Sequence, residues 1–200
     1  MASVIDRGDG SDLTRVISLL KKKGVLPAEN KSSAAKEIYQ SDTGEITLFA
    51  AESQFTLVTP RAEGALLKEG GRASLQALRL VGTTCAASIA VLVLDAKAIP
   101  ESKRLLLVYA TDAVNSGLET SPDRVTLVHP GELPILVETG TVTAEIKNAS
   151  APSMKCYALG MDGRRREAVS LEAADGLIRV KVDTASLTKG PALFFELGVD

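Results

Sequence analysis

The sequence has no tryptophan, one histidine and two cysteines among 200 residues, with only four Phe and three Tyr. Each shortage counts against a class of function. Carbohydrate-binding modules present flat rings to sugar faces, because that stacking supplies much of their affinity. Here Phe55, Phe194 and Phe195 lie in strand-like patterns that assign them to a core, and Tyr109 and Tyr157 lie inside apolar runs. The single histidine, His129, stands beside Pro130-Gly131 in an expected turn. A Ser-His-Asp nucleophile system would have to use it, and the sequence aims no particular Ser or Asp at it. Cys85 and Cys156 stand far apart, and no His or Cys recurs at ligand spacing, so no metal site is expected. The two cysteines read equally well as one disulfide or as two buried free thiols.

Charge of one sign is also lacking. Lys and Arg number 23 against 25 Asp and Glu, a formal net charge of −2. That balance gives no electrostatic footprint for nucleic acid. The runs Lys21-Lys22-Lys23 and Arg164-Arg165-Arg166 read as solvated surface. No run of about 18 apolar residues is present, so no membrane-spanning helix is expected. The polar first ten residues are not a signal peptide. Gly70-Gly71 lacks the buried parallel strand and capped helix of a phosphate loop and reads as a turn, and no cofactor is expected.

What the chain does have is period. Residues 11 to 24 read as a short helix. Ser11 or Asp12 caps it, and Leu13, Val16, Ile17 and Leu20 fall at i, i+3, i+4 and i+7 on one stripe. The lysines occupy its last turn, where the helix dipole favours positive charge, and Gly24 supplies a left-handed stop. Residues 25 to 40 have linker composition. The stretch Ser41-Asp42-Thr43-Gly44-Glu45 is then a turn at which the period changes to two. The alternating runs 46–50 and 54–59 form a hairpin, closed by Pro60-Arg61.

Residues 74 to 81 follow as a strand. Ala87 to Leu94 and Leu105 to Ala110 are apolar almost throughout, as in central strands covered on both faces. Further strands fall at 124–128, 134–138, 141–147 and 154–159, and Asp162-Gly163 is a hairpin turn. Others fall near 165–170, at 177–182 with Ile178, Val180 and Val182 inward, and at 192–197. About eleven or twelve strands with closely spaced turns indicate an all-β fold. The expectation is an antiparallel β-sandwich, jelly-roll or Ig-like, with one short N-terminal helix. Residues 1–40 form a helix and connector, and residues 41–200 the sandwich.

No catalytic constellation stands out. Asp42, Glu45, Asp95, Asp112, Glu138 and Glu196 are candidates for the two carboxylates a glycosidase needs, and the sequence selects no pair among them. Polar motifs at strand ends hold Asp42, Glu45, Arg61, Arg104, Asp112 and Asn115. Turn chemistry explains such residues without a ligand, and Arg61 has Asp42 or Glu45 as candidate partners. The other reading of these six is a ridge that docks on a second domain.

Several of these motifs together resemble a known arrangement. Lys22 to Pro27, Ser41 to Ile46, Val58 to Arg61, Leu94 to Leu107, Ala110 to Gly117 and Gly190 to Glu196 occur in the order seen in large bacterial glycoside-hydrolase-like proteins. The resemblance covers about residues 15 to 197. It is to the C-terminal region, where a β-sandwich follows a cellulase-like (β/α)8 barrel. It implies a polysaccharide-degrading parent whose catalytic carboxylates lie on the barrel, with the barrel domain as this chain's partner. The helix would then be the end of the barrel or its connector. None of the matched motifs holds the family's acid or nucleophile, so no catalytic residue is carried over. The alternatives are an independent glycan-binding module that contacts polysaccharide directly, and a small stand-alone hydrolase.

Overall fold

The computed structural model describes residues 12–199. The chain divides into two compact units at Val58/Thr59, so the turn at Ser41–Glu45 lies inside the first unit.

The first unit holds helix α1 (Leu13–Lys22) and strands β1 (Ile38–Gln40), β2 (Ile46–Phe49) and β3 (Gln54–Val58). Asp12 caps α1, its carboxylate accepting the Thr14 N–H at 3.1 Å. Lys21 and Lys22 end the helix, and Gly24 follows with φ of +70°. No residue of α1 is buried: Leu13 is exposed, and Val16, Ile17 and Leu20 are half-buried. β1, β2 and β3 pair antiparallel in that order. Their register puts Tyr39, Ile46, Leu48, Phe55 and Leu57 on one side and Thr47 and Thr56 on the other. The buried side is that of Thr47 and Thr56, while Ile46, Leu48 and Phe55 are exposed. The alternation was therefore legible but the buried side was not, and Phe55 is not a core residue. β1 falls inside the stretch whose composition suggests a linker.

The second unit is sandwich-like. One sheet has the order β4-β7-β8-β16-β12-β13 and the other β14-β15-β11-β6-β5. The strands are β4 (Ala62–Leu67), β5 (Ala73–Ser74), β6 (Leu78–Thr83), β7 (Ala87–Val93), β8 (Arg104–Ala110), β11 (Thr141–Lys147), β12 (Met154–Leu159), β13 (Arg165–Val169), β14 (Leu171–Ala174), β15 (Leu177–Asp183) and β16 (Phe194–Val199). All pairings recorded among them are antiparallel, and neither sheet closes into a barrel. A two-stranded ribbon, β9 (Ala113–Thr120) and β10 (Leu127–Val137), stands apart from both sheets.

Alternation builds the core. Ile89, Val91, Leu105, Leu107, Tyr109, Phe195 and Leu197 of the larger sheet pack with Leu78, Leu80, Val142, Ala144, Ile146, Ile178, Val180 and Val182 of the smaller one. Cys85 and Cys156 are both buried and free, which resolves the two readings. Burial alone pushes the Cys156 thiol up to about 12.

Two local surprises have physical causes. β4 (Ala62–Leu67) falls in a stretch to which the sequence pattern assigns no strand, and it contains Glu63-Gly64. Glu63 points into the interior, where its carboxylate accepts the Ala77 N–H at 3.0 Å and the Leu78 N–H at 2.8 Å. Gly64 is required by close approach: a Cβ there would lie 2.8 Å from both Ala90 Cβ and the Ile89 carbonyl oxygen. In the ribbon, Pro130-Gly131 lies within β10 rather than between two strands, in a stretch kept in register between one shift at Leu127/His129 and another at Glu132/Ile135. Residues 113–117, expected as a polar strand-end motif, begin β9.

Candidate functional site

The pleat of the larger sheet turns its other side chains away from the core, and the register aligns them in rows. One row is Leu66–Ser88–Ala110 and the next Gly64–Ala90–Val108–Phe194. A third is Ala62–Leu92–Leu106–Glu196–Tyr157. Over these rows the outer face is apolar or small apart from Ser88, Glu196 and Tyr157, and the next row, Arg104–Gly198–Lys155, is cationic. Leu66 is 49% exposed, and Ala90, Leu92, Leu106, Val108 and Phe194 are half-buried. The apolar character of 87–94 and 105–110 implied cover on both sides. The structure buries the inner side fully and leaves the outer side in contact with solvent.

A cationic corner ends this face. Arg104 at the start of β8 donates from Nε to Glu196 Oε1 at 2.6 Å, and Arg165 at the start of β13 donates from Nε to Oε2 at 2.8 Å. The Glu196 side chain is only 6% exposed. Arg165 beside it, together with Arg104, holds its carboxyl below the ordinary glutamate range against the opposing effect of burial. The Arg165 guanidinium lies over the Tyr157 ring, 4.3 Å from its centre. A cleft here is lined by Lys103, Arg104, Gly163, Arg165, Glu196, Gly198 and Val199.

The six residues singled out at strand ends have separate local partners. Asp42 accepts the Thr43 N–H at 3.0 Å, and Glu45 accepts the Thr43 hydroxyl at 3.2 Å, both within the turn. Arg61 donates to the Asp95 carbonyl oxygen at 2.8 Å. Asp112 accepts the Ala113 N–H at 2.8 Å and meets Arg124 at 3.5 Å. Asn115 donates to the Pro130 carbonyl across the ribbon at 3.0 Å. Among the described residues, Arg61, Arg104, Asp112 and Asn115 do not bond to one another.

The remaining carboxylates are similarly occupied. Asp95 staples its loop by accepting the Lys103 and Lys97 N–H groups at 2.9 and 3.1 Å, and the Lys103 bond leads in lowering its pKa. Glu138, Asp112, Glu69 and Arg124 line a second cleft at the base of the ribbon, beside Thr84 and Cys85. His129 accepts the Gly131 N–H through Nδ1 at 3.0 Å, a brace within β10. Among the described residues, no group of three or more His, Cys, Asp or Glu gathers to hold a metal.

Sequence reasoning noticed Arg104 but not its partner as such, since Glu196 lies 92 positions away. It missed Glu63 entirely. An acidic residue flanked by Ala and followed by Gly-Ala-Leu-Leu was the available signal.

The fold defined by these features is an all-β sandwich-like domain with a short N-terminal helix and one outer sheet face that is apolar. Compared with known protein families, curated proteins and solved structures, the chain matches none of them.

Proposed function

We propose that this chain is a non-catalytic accessory β-sandwich of a polysaccharide-degrading glycoside hydrolase, which docks on the catalytic (β/α)8 barrel and stabilises it. The observation that carries the reading is the apolar outer face of the larger sheet. A solvated antiparallel sheet alternates polar and apolar residues, and this one does not. Contiguous exposed apolar surface marks an interaction site. The stripe of α1, with Leu13 exposed and Val16, Ile17 and Leu20 half-buried, is a second apolar surface not fully covered among the described residues, on the segment that the motif resemblance assigns to the barrel or its connector. The same resemblance supplies the enzyme class and the partner.

The test begins with the full open reading frame, which is expected to encode a barrel upstream of residue 12. Its absence overturns the reading. The barrel produced separately should bind this chain in calorimetry, and Leu106→Asp should abolish the binding. Turnover of a polysaccharide by the pure chain, lost on substitution of one carboxylate, would instead establish a stand-alone hydrolase. Tight retention on an affinity gel of neutral glycan would establish a binding module.

A further inference from the structure

The β9–β10 ribbon belongs to neither sheet of the sandwich. A two-stranded ribbon is marginal in water until further strands or a helix cover it. Six large apolar side chains of this ribbon and its turn, Val125, Leu127, Val128, Leu133, Ile135 and Leu136, are each more than half exposed, Val125 and Leu133 by 82% and 81%. They offer on the order of several hundred Å², as much as the largest apolar patch of a soluble monomer. The same segment is acidic. Residues 112–138 hold Asp112, Glu119, Asp123, Glu132 and Glu138 against Arg124, and Glu119, Glu132 and Glu138 form no ion pair among the described residues.

Helix α1 has the complementary character. None of its residues is buried, and Leu13, Leu19 and, just beyond the helix, Val25 are exposed. Its charge is positive: Arg15, Lys21, Lys22 and Lys23 stand against Asp12, and Arg15, Lys22 and Lys23 are exposed. The ribbon lacks a covering helix and carries negative charge; the helix lacks an apolar bed and carries positive charge. Ribbon against ribbon, or helix against helix, would set like charges together.

We infer that α1 of one copy of this chain docks on the β9–β10 ribbon of a second copy, and that the two copies exchange this contact. A second copy carries both halves, and two-fold closure covers both ribbons and both helices at once. A two-fold pair makes the contact twice, so each contact needs only about half of the ~1,600 Å² that a standard stable interface buries. A helix of 10 residues laid on the exposed ribbon side chains is of that size. The contact goes beyond the docking role, since it needs no barrel and does not use the outer face of the larger sheet. With α1 taken by a second copy, that outer face alone is left to meet the barrel.

The test is sedimentation velocity of the full chain over a concentration series, at low and high salt. A reversible species of twice the 21.0 kDa chain mass is expected, weaker in high salt. Ile135→Glu on the ribbon and Leu13→Glu on the helix should each raise the dissociation constant about ten-fold or more. Mixing the two variants should restore a pair, because the intact helix of the first fits the intact ribbon of the second. Leu106→Asp, which removes the barrel contact, should leave the pair unchanged. The unfolding midpoint of each variant, measured alongside, separates lost association from lost folding. A wild-type chain that stays monomeric at every concentration overturns the inference. So does loss of the pair in only one of the two folded variants, or a mixture of them that stays monomeric.

Discussion

The two outer faces of the sandwich are built from the same antiparallel pleat and carry opposite chemistry. Across the smaller sheet, the register lines up Arg79, Glu145, Arg179 and Glu172, a row of alternating charge on β6, β11, β15 and β14. Arg79 meets Glu145 at 2.9 Å, and Arg179 meets it at 3.9 Å. Thr143 and Lys181 continue this polar surface. The equivalent row of the larger sheet is Gly64–Ala90–Val108–Phe194. Both faces belong to one unit and share one core, so solubility and folding act on them alike. Under the proposed function, what separates them is what they meet. Cross-strand charge pairs suit a face that meets water, and they also discourage edge and face association. Small and apolar residues suit a face that meets another protein surface.

This contrast can be broken at several points, and the largest effect should come from beneath it. Glu63 reaches from β4 to the Ala77 and Leu78 N–H groups at the start of β6, joining the larger sheet to the smaller one. Glu63→Ala leaves two buried donors unmet and should cost about 3 kcal/mol or more in chemical denaturation, with Glu63→Gln costing less. Next comes the small row itself. Gly64→Val places a Cβ 2.8 Å from Ala90 Cβ and should cost about 1–3 kcal/mol by the same measurement, since the backbone on both sides must shift.

The one charge buried in the apolar face gives a pH test. The folded pKa of Glu196 lies below the ordinary value of 4.5, so its ion pairs stabilise the fold fully above that pH. The contribution fades as pH falls through the folded pKa. Glu196→Gln should therefore be less stable than wild type by about 1 kcal/mol at neutral pH, a figure kept small by the solvent exposure of both arginines. The gap should close in acid unfolding curves. Smallest is Glu145→Ala on the charged face: below about 1 kcal/mol, and shrinking further in high salt, because its partners are exposed.

Much of the fold was legible because local pattern and tertiary burial agreed. β11, β12 and β15 alternate cleanly, and Ile178, Val180 and Val182 are inward as their spacing implies. The helix showed its cap, stripe and stop. Legibility failed where a long-range contact overrides local type. Glu63-Gly64 gives no strand signal of its own, and its place in β4 makes sense only once Ala77, Leu78 and Ala90 are in place. Pro130 reads as a strand end until its pairing with Leu118, between two register shifts, keeps it inside β10. In the hairpin of the first unit, the strand pattern assigns Phe55 to a core, yet Thr47 and Thr56 are the buried pair. The cationic corner is the same kind of failure. Arg104, Arg165 and Glu196 are ordinary surface types in sequence, and only the order β8-β16-β12-β13 brings them together.

The central claim, that the apolar outer face is a docking surface and the charged one is not, is tested most directly by one pair of substitutions measured in two contexts. Ala90→Glu places a charge on the apolar face, and Thr143→Glu places one on the polar face. Each is scored by thermal unfolding in the isolated chain and in its complex with the barrel that the proposed function assigns to it. The account predicts that Ala90→Glu costs about 2 kcal/mol more in that complex than in the isolated chain, because the charge is then desolvated at an interface. Thr143→Glu should cost the same in both. An equal cost for Ala90→Glu in the two contexts would contradict the account.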